Sequence, residues 1–239
     1  MSRDNSSSGF LRGQIEYYRA RATEYDDWFL RRRRYDRGED ATRRWFEQVQ
    51  EVRAVLRELP LDGRSVLELA PGTGIWTDEL VDRASRLTAV DAAREMLNLN
   101  RERLGERAAR VAFVTADLFE WIPRHEFDAV VFCFWISHVP AGLLEDSLDR
   151  MAHSLVPGGL VFFLDSRQEH TSTAVDYVLP SSDEETMTRR LDDGREFVIY
   201  KNFWDPDVLE AACRRAGLDV KVHHTADFFQ FGVGSRAFE

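Results

Sequence analysis

Glu68, Gly72, Gly74 and Asp91 are the residues of this chain whose types and spacing could do chemistry. They fall in Val66-Leu67-Glu68-Leu69-Ala70-Pro71-Gly72-Thr73-Gly74-Ile75-Trp76-Thr77 and in Leu87-Thr88-Ala89-Val90-Asp91. In the first stretch an apolar run meets an acid, then a turn with two glycines, then residues able to start a helix. A buried strand passes into a helix in this way in nucleotide-type α/β folds. Glycine lets backbone N–H groups come close to a ligand where a side chain would block them. A G-x-G turn alone is equally an ordinary strand-to-helix turn. Asp91, at the end of the next strand-like run, adds a carboxylate able to take a ribose diol. Thr77 stands where a dinucleotide loop has its third glycine, and Glu68 would repel a phosphate. The acid suits a cationic or amine-bearing cofactor instead.

Positioning those groups requires strands that alternate with helices. Strand-like runs fall at 65–69, 87–90, 111–115, 128–134 and 160–165, separated by helical stretches at 77–84, 92–104 and 143–154. That alternation argues a parallel sheet covered on both faces, with ligands at the carboxyl ends of its strands. Before it, residues 14–59 read as helical with a polar break at 37–40. Trp45, Phe46, Val49, Val52, Val55, Leu56 and Leu59 recur at helical spacing there. After the fifth strand the pattern changes. Residues 166–188 are polar and irregular, and 189–203 reads as a hairpin turning at Asp192-Asp193-Gly194-Arg195. A helix over 206–216 and two last strands at 218–224 and 228–238 complete the chain. No internal repeat is present. The organisation expected is an N-terminal helical cap over 1–62, a core over 63–165, an insertion over 166–203 and a return to the core over 204–239.

Composition narrows the classes. The chain has 239 residues, enough for one well-buried α/β domain with additions, and 44% of them are hydrophobic against 31% charged. A net charge of −10 argues against a nucleic-acid partner. Cys133 and Cys213 are far apart and form no C-x-x-C, which points to a reducing compartment without a disulfide framework. The first nine residues are polar and serine-rich, without a signal-peptide apolar core, and no apolar run reaches membrane-spanning length. A cytoplasmic protein without membrane association is expected.

The E-x-A-x-G-x-G turn followed by Val90-Asp91 resembles the cofactor loop of class I S-adenosylmethionine methyltransferases. Much of the chain is similar to bacterial small-molecule O-methyltransferases of that class, one of which methylates a phosphonate in natural-product biosynthesis while others methylate sugar hydroxyls. YYRARATEYD, ELAPGTGIWT, ADLFEW, FWISHVP and RRLDDGREFVIYK carry the likeness, which lapses in the arginine-rich residues 29–40. It implies a Rossmann-like α/β fold with a mostly parallel seven-stranded sheet, an antiparallel last strand, a helical cap and a substrate lid after strand 5. It implies S-adenosylmethionine as cofactor and S-adenosylhomocysteine as product. Glu68, Ala70, Gly72, Gly74, Trp76, Thr77, Asp91 and Ala92 would form the cofactor loop and ribose site. Asp117 and Leu118 would face the adenine, with Met96 nearby, although Asp117 could equally cap a turn and a helical Met is more often core. Tyr18 and Tyr25 share one face of the leading helix, and with Arg21 they are the donors available to the cofactor carboxylate. Phe134 opens the loop expected beneath the sulfonium. A homodimer is also common in the family.

The acceptor is less defined. A hydroxyl must lose a proton, and a placed base adds roughly 10²–10⁴-fold. His138, just past the fourth strand, is the candidate base, its alternative being a hydrogen-bonded loop histidine. Trp28, Trp135, Trp204 and Tyr18 offer flat faces that suit a pyranose, whereas Arg189 and Lys201 on the hairpin could clamp an anion. The expectation is a saccharide hydroxyl. A phosphonate oxygen, already anionic, is the alternative, and for it His138 would orient rather than deprotonate. An N-methyltransferase would prefer acids in the lid, and a non-catalytic cofactor-binding scaffold is the reading from another class. Asp165, His138 and His170 could converge on a metal, but no H-x-x-x-H spacing is present and no metal ligand is assigned. The run Arg31-Arg32-Arg33-Arg34 reads as a solvated or acid-paired surface.

Overall fold

The computed structural model describes residues 4–181 and 184–238; residues 1–3 of the polar leader, 182–183 of the lid insertion and Glu239 lie outside the described residues. Seven strands form the main sheet: β1 (Ser65–Leu69), β2 (Arg86–Asp91), β3 (Val111–Thr115), β4 (Phe127–Cys133), β5 (Leu155–Ser166), β8 (Leu218–His224) and β9 (Phe229–Arg236). β6 (Thr186–Arg190) and β7 (Glu196–Tyr200) pair as a separate hairpin. The sheet order is β3-β2-β1-β4-β5-β9-β8, parallel through β5, with β9 antiparallel to both neighbours.

Alternation along each strand sends successive side chains to opposite faces. Val66, Ala129, Val131, Phe162 and Leu164 pack towards α3 (Glu39–Glu58) and its buried Trp45, Val49, Val52 and Leu56. Leu67, Leu69, Val130, Phe132 and Phe163 pack on the other face, with Leu148 and Met151 of α6 (Leu144–His153) and Leu209 and Ala212 of α7 (Pro206–Arg215). Two covered faces explain why β1 and β4 read as near-continuous apolar runs. α4 (Thr77–Leu80) and α5 (Arg94–Leu104) follow β1 and β2. Among the described residues no helix is long and apolar enough to cross a membrane.

Three segment boundaries differ from expectation. The N-terminal helical region starts earlier, as α1 (Asp4–Arg21), and is interrupted after α2 (Tyr25–Phe29), where Arg31 and Arg33 take left-handed φ of 55° and 52°. β5 begins at Leu155, not at residue 160, because a register shift between Phe127 and Ala129 lets the Pro157-Gly158-Gly159 turn join the strand. The helix expected over 77–84 is regular only to Leu80.

The arginine run is not a simple solvated surface. Buried Arg31 donates to the carbonyls of Ser172 and Thr171. Arg34 pairs with Asp176 and donates to Arg190 O at 2.6 Å, and Arg33 pairs with Asp192 at 2.9 Å. Arg37 reaches the carbonyls of His170, Thr173 and Ala174. The 170–174 segment pairs with no strand among the described residues, so guanidinium donors from residues 31–37 satisfy its carbonyls.

Candidate active site

Two cavities meet at the carboxyl ends of the central strands. The first, about 570 Å³, is lined by Ala70 and Gly72 after β1, Asp91 and Ala92 at the end of β2, Leu118 after β3, and Cys133, Phe134 and Trp135 at the end of β4. Met96 of α5, Tyr25 of α2 and Tyr18 of α1 close it from above. The second, about 470 Å³, lies under the lid between Arg21, Trp28, Ser172, Thr173, Arg189 and Lys201. Tyr18, Tyr25, Phe134 and His138 border both.

The first cavity has one buried acid, Asp91, in its wall, and a second, Glu68, lies beneath the adjoining loop. The Asp91 carboxylate accepts from Ala93 N at 2.8 Å and Gly72 N at 3.2 Å, yet burial pushes it up to about 6. Glu68 is 2% exposed and its Oε2 has no hydrogen-bond partner; burial pushes it up to about 8, against a hydrogen bond from Thr77. Two neighbouring acids held this way favour a ligand that brings donors or positive charge. Ala70 (φ 50°) and Phe134 (φ 59°) are left-handed non-glycine residues at the ends of β1 and β4. Such backbone strain costs on the order of 1–3 kcal/mol and gathers where a binding wall must be shaped.

Several predicted residues lie elsewhere. Gly74 (φ 88°) faces α5, where a Cβ would come within 2.4 Å of Asn100 Oδ1, so its glycine is demanded by packing. Thr77 is fully buried and accepts from Asn100 Nδ2 at 2.8 Å. Trp76 packs edge-on against Phe29, below the loop. Asp117 accepts from Phe119 N at 2.9 Å in its own turn and does not line the cavity, while Leu118 does. Trp204 donates to Ile136 O outside both cavities, and Trp135 packs on Phe132 and Phe119.

His138 and the predicted cations come together in the second cavity. His138 Nδ1 lies 2.6 Å from Tyr200 O, so that nitrogen carries the proton, and Nε2 accepts from Tyr18 Oη at 2.7 Å. Burial, then the Lys201 charge, hold the imidazole well below the usual histidine range and therefore neutral. Arg21, Arg189 and Lys201 are 5%, 7% and 5% exposed. Lys201 Nζ donates to Ser137 Oγ at 2.8 Å and lies 3.4 Å from Asp165 Oδ1. Among the described residues Arg189 meets the Thr173 hydroxyl at 3.3 Å and the Tyr177 ring, its Nε unsatisfied, and Arg21 meets Tyr35 Oη at 3.3 Å. Among the described residues Asp165 is the one carboxylate bonded to any of the three. Asp165 also accepts from Ser137 N and Ser166 N, and no group of three metal-ligating residues occurs among the described residues.

Some participants were not foreseen. Gln14 donates to His138 O at 3.1 Å and accepts from Tyr200 N at 2.9 Å, tying the histidine loop to β7. Its place four residues before Tyr18, on the same helical face, was the available signal. Tyr177 and Thr173 carried none, because only long-range packing brings them here; Asp165, weighed in the sequence only as a metal ligand, stands beside Lys201.

The chain is similar to known proteins. A family model described as a methyltransferase domain matches residues 66–159. The solved DhpI–SAM–HEP complex is 33% identical, covers 95% of this chain and 97% of that one, and superposes with a TM-score of 0.77. The DhpI–SAH complex is 31% identical over 96% and 98% of the two chains, with the same TM-score. The chain belongs to the class I S-adenosylmethionine-dependent methyltransferases.

A ubiquinone biosynthesis O-methyltransferase of Xylella fastidiosa (strain 9a5c) is 30% identical over 170 residues, 70% of this chain and 65% of that protein. The match therefore spans just under two thirds of that relative's length. The methyltransferase has S-adenosylmethionine as its cofactor, and the first cavity suits it. Asp91 offers a carboxylate for paired hydroxyls and Met96 and Leu118 an apolar wall, while the partnerless Glu68 oxygen lies beneath the neighbouring loop.

Proposed function

We propose that this methyltransferase transfers a methyl group to an oxygen of a small anionic acceptor, a phosphonate or a chemically equivalent oxyanion. The observation that carries the reading is the group of three buried cations in the second cavity, with one carboxylate among them. Burying charge is costly unless it is paired, so a site built this way is completed by an anion. Two guanidinium groups also match the forked geometry of a phosphonate or carboxylate. The likeness to a phosphonate O-methyltransferase and the O-methyltransferase names of curated relatives support the same acceptor atom.

A saccharide fits less well. Of the tryptophans expected to stack on a sugar, Trp204 lies outside the second cavity and Trp135 packs on Phe132 and Phe119, leaving Trp28, whose Nε1 donates to Ser172 O, in the wall of the second cavity. A neutral hydroxyl would leave Arg21 and Arg189 without a counter-charge, and the same cations repel an amine substrate.

S-adenosylmethionine supplies a sulfonium-activated methyl group. The residues of this chain supply alignment, which can account for about 7–11 kcal/mol of barrier lowering. Arg189, Arg21 and Lys201 hold the acceptor while Tyr18, Tyr25, Phe134 and His138 border the place where the two ligands meet. An oxyanion presents its lone pair without losing a proton. His138 then fixes the Tyr18 hydroxyl through Nε2 and is itself fixed by the Tyr200 carbonyl. Enclosure beneath the lid strengthens each of these interactions by excluding water.

The test is transfer of label from [methyl-³H]S-adenosylmethionine across simple phosphonates, carboxylates, free sugars and amines. Label in the phosphonates and not in the sugars is expected. Transfer to a neutral sugar hydroxyl, with none to any oxyanion, would overturn the proposal.

A further inference from the structure

The charge of the second cavity can be counted. Arg21 and Arg189 bring two positive charges and Lys201 a third, held charged by neighbouring Asp165 although burial lowers it, and Asp165 brings one negative. His138 is neutral, because its Nδ1 proton serves the Tyr200 carbonyl and its Nε2 accepts from Tyr18. Tyr18, Tyr25 and Tyr177 are phenols raised by burial and uncharged. The balance is two positive charges, in a site where each residual charge is buried and its imbalance is strongly felt. Asp165 cannot relax this further, since its two oxygens are already held by Ser137 N at 2.9 Å and Ser166 N at 2.7 Å. Lys201 stands closer to the Ser137 hydroxyl than to the carboxylate.

We infer that the acceptor cavity is matched to a doubly charged oxyanion and rejects the singly charged methyl ester, so that transfer stops after one methyl group. This rests on the reading of the cavity as an oxyanion site. In each transfer an acceptor oxygen uses a lone pair to form a bond to the methyl carbon. The methyl–sulfur bond breaks and its electron pair stays on sulfur. No proton moves, and the acceptor charge falls from two negative to one. The product then leaves one cavity charge uncompensated, which both weakens its hold and disfavours a second round. Asp165 acts as a positioning residue that sets the valence of the site, because without its charge the cavity would call for a trianion.

Calorimetry with S-adenosylhomocysteine present separates binding from turnover. Methylphosphonate, its monomethyl ester and methanesulfonate would be titrated at about pH 9, above the second ionisation of phosphoryl oxyanions, which is about 6 for a phosphate monoester. The expected result is a Kd at least tenfold lower for methylphosphonate than for either monoanion. In Arg189→Met, whose cavity carries one charge fewer, the preference should fall below threefold. Mass spectrometry of an exhaustive wild-type reaction should show the monoester alone. Methanesulfonate or the monoester binding within threefold of methylphosphonate to the wild type, or a dimethyl ester as product, would overturn the valence assignment while leaving an anionic acceptor intact. Binding of neutral acceptors but of none of the three anions would overturn both. The wild-type measurements stand even where the variant fails to fold.

Discussion

Asp91 and Glu68 show how two acids beside one glycine turn, one from the strand before it and one from the next strand, take different tasks. Asp91 is held by two backbone N–H groups and faces the cavity, whereas Glu68 sits beneath it with one oxygen unsatisfied. Asp91→Ala removes the acceptor for a hydroxyl pair. Hydrogen bonds to a charged group contribute about 1.5–3 kcal/mol, so S-adenosylhomocysteine affinity should fall roughly 10- to 100-fold by calorimetry; unchanged affinity would count against the ribose role. Glu68 also predicts a pH effect on the ligand-free protein. Its folded pKa of about 8 lies above the ordinary 4.5, so the folded state binds the proton more tightly. Stability on this account is full below about 4.5 and lost as pH rises to about 8. Glu68→Gln should remove that decline in melting temperature between those limits, and an equally steep decline in the variant would refute the assignment.

At the scale of elements, the lid over residues 170–176 is held by side chains from the 31–37 segment more than by strand pairing. Arg37 alone reaches three carbonyls, and Tyr177 lies between Arg34 outside and Arg189 inside, with ring-to-guanidinium distances of 4.7 and 4.6 Å. The fastening of the lid is thus continuous with the wall of the acceptor cavity. Arg37→Ala should speed hydrogen exchange at 170–176 and raise KM for the acceptor several-fold, with cofactor affinity little changed. Exchange confined to its wild-type rate would show that the guanidinium does not restrain the lid.

Across the whole molecule, Trp45 joins the N-terminal helices to the last strand. It is fully buried, donates to Phe29 O at 3.0 Å and packs edge-on against Trp28, Phe228 and Phe229. Trp28 in turn borders the acceptor cavity, so this aromatic group couples global stability to the site. Trp45→Ala should cost about 3–5 kcal/mol in urea denaturation, and a loss under 1 kcal/mol would mean that the two regions are not joined through this residue.

The cofactor side of the site was written in local order. Strand, acid, glycine turn and helix follow one another from Val66 to Thr77, and Asp91 ends the next strand, so adjacency along the chain becomes adjacency at the sheet edge. Within that stretch the sequence could not tell Gly72, which faces the cavity, from Gly74, which faces Asn100; the difference is which neighbour a Cβ would meet. The same limit applied to Trp76 and Thr77, whose burial depends on α3 and α5. The acceptor side required the tertiary structure throughout. His138 and Tyr200 are 62 positions apart and Arg31 and Ser172 141, and no periodicity links them. A chain with net charge −10 gathers three cations in one buried space, because composition averages over a surface while desolvation acts at a point. Sequence therefore determined the fold and the cofactor, which depend on local pattern; the sign and count of charge around the second cavity were decided by packing between distant segments.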